Sequence, residues 1–98
     1  MDAQHTPIPF TQYMMPDGRR VPVTIERPAE VAALAQQFID AGGRFECEML
    51  STGEISLTAV GEIDGEEQDI AIELCGNGPD VPLAVDRLVR AALTAGQQ

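Results

Sequence analysis

The sequence predicts an α+β fold: a single antiparallel sheet in the element order ββαβββα, with two helices packed on one face. Three observations carry that expectation. Five stretches alternate apolar and polar residues, the period of a half-buried strand. Two others repeat apolar residues at three- and four-residue spacing, the stripe of a surface helix. Pro-Asp-Gly, Gly-Gly and Asp-Gly fall between these stretches, where turns belong. At 98 residues the chain is long enough for one domain. We place it at 8–95, after a polar N-terminal arm at 1–7 that carries the only histidine, His5.

Ile8 to Met15 reads as the first strand, with Ile8, Phe10 and Met14 on one side and Thr11, Tyr13 and Met15 on the other. Pro16-Asp17-Gly18 is a turn: proline presets φ, aspartate bonds back to the backbone and glycine accepts positive φ. The second strand runs from Arg19 to Glu26, where Val21, Val23 and Ile25 alternate with Arg20, Pro22 and Thr24. Pro9 and Pro22 donate no hydrogen bond to a ladder, which puts part of this hairpin at a sheet edge. Pro28 and Glu30 suit the first turn of a helix. Its stripe is Val31, Leu34, Ala35, Phe38 and Ala41, and Gly42-Gly43 ends it.

Three strands follow. Arg44–Leu50 points Phe45, Cys47 and Met49 inward and Glu46 and Glu48 outward. Glu54–Ile63 points Ile55, Leu57 and Ala59 inward, and the alternation slips at Val60-Gly61, where glycine suggests a bulge. Asp64-Gly65 is the strongest hairpin signal in the chain. Gln68–Cys75 is expected to bury Ile70, Ile72 and Leu74 and to expose Asp69 and Glu73. By this parity Cys47 and Cys75 occupy opposite faces, as two reduced thiols. Gly76-Asn77-Gly78-Pro79 breaks the strand. Asp80 then caps a last helix with the stripe Val81, Val85, Leu88, Val89 and Ala92.

Charge is the most informative feature. Six arginines and no lysine face sixteen acids, for a formal net charge of −10. From Phe45 to Asp86 there is no base, while eleven acids give −11. The remainder is nearly neutral. A protein this acidic does not coat nucleic acid, since phosphates repel it. No apolar run reaches the ~18 residues of a membrane span. With no charged-then-apolar leader pattern, the expected location is the cytoplasm. The all-arginine usage fits both a GC-rich genome and bidentate pairing with carboxylates.

Strand parity gives the acids a geometry. Glu46, Glu48, Glu54, Asp69 and Glu73 fall opposite the apolar positions, and Asp64, Glu66 and Glu67 cluster at the hairpin tip. Together they form a lattice on the sheet face away from the helices, with Tyr13 and Met15 as apolar anchors beside it. Two readings of this face stand: a solvated surface that keeps the chain soluble, or an interface for a basic partner. No catalytic set emerges. The hydroxyls of Ser51 and Thr52 have no histidine nearby in sequence, and Gly76–Pro79 lacks the lysine of a phosphate loop. Asp64–Asp69 departs from a calcium loop because glycine stands second, not sixth. We therefore expect no cofactor, no metal and no enzyme activity.

Ile8-Pro9-Phe10-Thr11-Gln12-Tyr13, Pro16-Asp17-Gly18-Arg19-Arg20 and Arg44-Phe45-Glu46-Cys47-Glu48 resemble short, acidic proteins of phages and prophages of proteobacteria. In size and charge the chain is also similar to anti-CRISPR proteins. The resemblance implies a non-enzymatic inhibitor that binds a surface of a host complex, and the acidic face makes the expected target a basic, nucleic-acid-binding surface of a defence complex in the host cytoplasm. The resemblance carries over no functional residue; charge and strand parity give the partner-binding residues as Glu46, Glu48, Glu54, Asp64, Glu66, Glu67, Asp69, Glu73 and Tyr13. The expected state is a monomer or homodimer. The alternative is a phage assembly protein that self-associates through the edge of its first hairpin.

Overall fold

A computed structural model describes residues 5–14, 17–76 and 78–96. The predicted element order holds. Strands β1 (His5–Met14) and β2 (Arg19–Pro28) precede helix α1 (Ala29–Asp40). Strands β3 (Arg44–Met49), β4 (Glu54–Ile63) and β5 (Glu66–Gly76) precede helix α2 (Asp80–Gly96). β1 opens at His5, so residues 5–7 of the expected arm belong to the sheet, while 1–4 lie outside the described residues. Met15 lies outside them too.

The sheet is mixed rather than antiparallel. Its order is β2-β1-β3-β4-β5, and β1 and β3 run parallel. The hairpin puts β2 on the outside of β1, and α1 then carries the chain to β1's other side, where β3 enters in β1's direction. Alternation tells which face a side chain takes, not which strand lies beside it. β3 meets β1 only at Thr11, Gln12 and Tyr13. The half of β1 that holds Pro7 and Pro9 therefore has no strand on that side, and it is there that a missing N–H costs no ladder bond.

Local signals act where the chain chemistry places them. Asp64 and Gly65 both take positive φ, 54° and 83°, the conformation that a two-residue hairpin turn requires. At the end of α1 the Gly43 N–H donates to the Phe38 carbonyl at 3.0 Å and the Gly42 N–H to that of Ile39 at 2.9 Å. Gly42 has φ 102°, so this is a glycine-closed helix end that satisfies two orphan carbonyls.

One apolar cluster joins both helices to one face of the sheet. Ile8, Phe10, Phe45 and Leu57 come from the strands, Val31, Ala35 and Phe38 from α1, and Val85, Leu88, Val89 and Ala92 from α2. The three phenylalanines of the chain meet at its centre. The Phe45 ring lies 5.3 Å from that of Phe10 and 5.2 Å from that of Phe38, tying β1, β3 and α1 together. Among the described residues, the other sheet face carries no helix.

The alternation fails in β5, and the cause is a bulge. Ala59 pairs with Ala71 and Val60 with Asp69, so Ile70 is an extra residue between them. Ile70 and Ala71 both pack on the core, and every later residue of β5 is inverted relative to simple alternation. Ile72 and Leu74, expected inside, are exposed beside Thr58 and Ser56. Glu73, expected outside, stands opposite Leu57 on the helix face. Cys75 also turns to that face, as does Cys47. The two thiols therefore do not occupy the opposite faces that parity predicts. They share a face but lie on β3 and β5 with β4 between, roughly 10 Å apart across the sheet, beyond the reach of a disulfide.

Candidate interaction face

The open face is built from the outward parity of five strands. Thr11 and Tyr13 come from β1, Arg44, Glu46 and Glu48 from β3, and Ser56 and Thr58 from β4. Tyr13, Glu46, Glu48, Ser56, Thr58 and Asp69 line a shallow cleft of about 180 Å³ at its centre. Four of these, Tyr13, Glu46, Glu48 and Asp69, are among the predicted partner-binding residues.

Glu46 is the best-held acid of the face. Its Oε2 accepts the Tyr13 hydroxyl at 3.0 Å and Arg44 Nε at 2.8 Å, and its side chain is only 15% exposed. Arg44 turns its other nitrogens to Glu67, with Nη2 3.2 Å from Oε1 and Nη1 on Oε2. Glu67 stands directly opposite Glu62 across β4 and β5, an arrangement of like charges that costs stability unless a cation intervenes. Arg44 is that cation. Its own pKa is raised by hydrogen bonds to Glu67 and Glu46. Hydrogen bonding from Arg44 holds the Glu67 carboxyl below its ordinary range. Beneath Arg44, its β4 partner Val60 is buried. Arg20 lies over the Tyr13 ring, 5.3 Å from its centre, a cation–π contact that fixes the tyrosine from the far side.

The predicted lattice is therefore smaller and partly neutralised. Glu48 and Asp69 remain on it with no cation within salt-bridge distance among the described residues. Glu54 sits at its margin, opposite Gly76, and accepts the Thr52 hydroxyl at 3.2 Å. Asp64 and Glu66 are exposed at the hairpin tip, away from the cleft. Glu73 is not on this face; on the helix side its Oε1 accepts Arg87 Nε at 2.9 Å. Sequence reasoning missed Arg44 as an organiser, although its spacing of two from Glu46 puts both on one face. It also missed Ile72 and Leu74 as the apolar border, because the signal lay in the bulge.

Acids, hydroxyls and Cys47 line the cleft, and none of the lining residues is a histidine. His5 stands at the far end of β1, roughly 26 Å from Tyr13 at strand rise. Among the described residues no three His, Cys, Asp or Glu side chains are placed to hold a metal ion. No described helix is long and apolar enough to cross a membrane. No family model, curated protein or solved structure matches the chain.

Proposed function

We propose that this chain is a small binding protein that acts without catalysis by laying its open sheet face on a basic protein surface. The observation that carries the reading is the pairing pattern of the cleft. Tyr13 and Glu46 are held rigid by Arg20 and Arg44, while Glu48 and Asp69 beside them have no cation. A basic partner supplies what those two carboxylates lack, and a fixed aromatic ring among them is the usual anchor of such an interface. Basic grooves that hold nucleic acid are the surfaces this charge fits. The likeness of the sequence to phage proteins supplies the setting, a defence complex in the host cytoplasm.

The test uses the full chain as bait in a proteobacterial lysate, with the E48R/D69R variant beside it. The expected result is capture of a basic complex by the wild-type chain, displacement of that complex's nucleic acid in a gel-shift assay, and loss of both in the variant. Binding should weaken with added salt. Equal capture by the variant, or a captured complex that keeps its nucleic acid, overturns the reading.

A further inference from the structure

The two edges of the sheet are unlike. β2 carries Pro22 and Pro28, which donate nothing, and Arg19 and Arg20 at its start. Such residues guard an edge. β5 is eleven residues long, contains no proline, and has no strand on one side of its backbone among the described residues. Two of the five exposed large apolar side chains among the described residues lie on it. Ile72 and Leu74 are 58% and 53% exposed on the open face, and Leu83, one turn before Arg87 on α2, is 57% exposed on the helix side.

Charge divides this strand in two. The acids Glu66, Glu67 and Asp69 occupy its first four residues. Ile70–Gly76 carries one charge, Glu73, which Arg87 of the same copy neutralises. The apolar flanks lie on the neutral half.

We propose that β5 pairs with β5 of a second copy, antiparallel and centred on Glu73. Only that register overlaps the neutral half with itself, Ile70–Gly76 against Gly76–Ile70, and leaves the acids of both copies outside the ladder. On the open face Ile72 then meets Leu74 of the second copy, and Leu74 meets its Ile72, so four exposed apolar side chains cover one another. On the helix face two Glu73–Arg87 pairs adjoin across the dyad, each base within reach of either acid. Ala71 faces Cys75 of the second copy, two small side chains that leave the strands free to approach. An isologous contact of this kind closes on itself and stops at a dimer. The product is one ten-stranded sheet with both acidic clefts on a single open surface. The inference stands apart from the reading of the cleft, since neither Glu48 nor Asp69 takes part.

Sedimentation equilibrium of the full chain, from micromolar to millimolar concentration, tests it. The expected result is a reversible dimer whose dissociation constant falls as sodium chloride is added, because two chains of net charge −10 repel. I72K/L74K should be monomeric throughout and, at concentrations where the wild type is also monomeric, should melt at the wild-type temperature, since both positions are exposed in the single chain. In a C47S/C75A background, E73C should form an intermolecular disulfide on mild oxidation and E66C should not, because directly opposed strand residues alone bring Cα atoms to disulfide distance. A wild-type chain that stays monomeric in molar salt overturns the proposal. So does a dimer that survives I72K/L74K, or cross-linking at E66C equal to that at E73C.

Discussion

Arg27 and Asp86 meet side-on, Nε to Oδ1 at 2.8 Å and Nη2 to Oδ2 at 2.7 Å, across 59 positions of sequence. The pair clips the end of edge strand β2 to the middle of α2. The side chains are 17% and 24% exposed, so neither is fully solvated. Hydrogen bonding to Asp86 raises the pKa of Arg27 further, which keeps the guanidinium charged at any working pH. A lysine offers no such fork.

D86A should therefore lower the free energy of unfolding by about 2 kcal/mol, the usual worth of charge-assisted hydrogen bonds together with a stranded, half-desolvated cation. R27M/D86L should cost less than D86A alone, because it strands nothing. Urea denaturation of the three chains decides this. Equal losses would mean that the pair does not hold this corner.

Gly43 and Gly61 both approach the Phe38 ring. A Cβ at Gly43 would stand 2.4 Å from Phe38 Cε2, and one at Gly61 would stand 2.6 Å from Ile70 Cδ1. The two clashes differ in what can yield. Ile70 Cδ1 is the tip of a flexible, partly buried side chain, whereas the Phe38 ring is buried against Phe45. G43A should cost about 2–3 kcal/mol, the upper range of overpacking, and G61A nearer 1. Thermal melts of both variants should rank them in that order. The reverse order would place the rigid contact at Ile70.

How far the sequence discloses this fold depends on which interaction sets each feature. The faces of β3 and β4 were legible because Phe45 and Leu57 alternate with Glu46 and Thr58 without interruption. The Asp64-Gly65 turn and the Gly42-Gly43 helix end were legible because only certain residues tolerate positive φ there. The β1–β3 parallel pairing was not, since backbone groups make it and every residue has those. β5 misled for a different reason. Ile70, Ile72 and Leu74 recur at every second position between Asp69 and Cys75, and one bulged residue reverses the meaning of everything after it. Hence Glu46, Glu48 and Asp69 were placed correctly on the open face and Glu73 was not.

Cys47 and Cys75 are free thiols on the helix face, one half-buried and one buried. Burial pushes both pKa values up. Their folded values thus exceed their unfolded ones, so the native state holds its protons longer than the unfolded chain. The stability this represents is fully present below the ordinary thiol value of about 8.5 and is lost as pH rises beyond it. A disulfide-exchange reagent at pH 8 should label neither thiol rapidly in the native state and both once urea is added. C47S/C75A should flatten the alkaline fall in stability. Fast native labelling of Cys75 would contradict its burial.

Repulsion among the acids should dominate the response of stability to salt. Five of the six arginines already sit in ion pairs, and Glu48, Glu62, Asp64, Glu66 and Asp69 have no cation at salt-bridge distance among the described residues. Screening weakens pairs and repulsions alike, but it acts least on the Arg27–Asp86 pair, which is the most shielded from water. The net effect of lowering the Debye length from about 10 Å at 0.1 M to about 3 Å at 1 M should be a gain. Raising sodium chloride over that range should lift the melting temperature by roughly 4–8 °C, equivalent to about 1 kcal/mol for a domain of this size. E62Q removes the charge that directly opposes Glu67. It should therefore raise the melting temperature at low salt and change little at high salt. A melting temperature that falls with salt would mean that the arginine pairs, not the unpaired acids, set the electrostatics of this sheet.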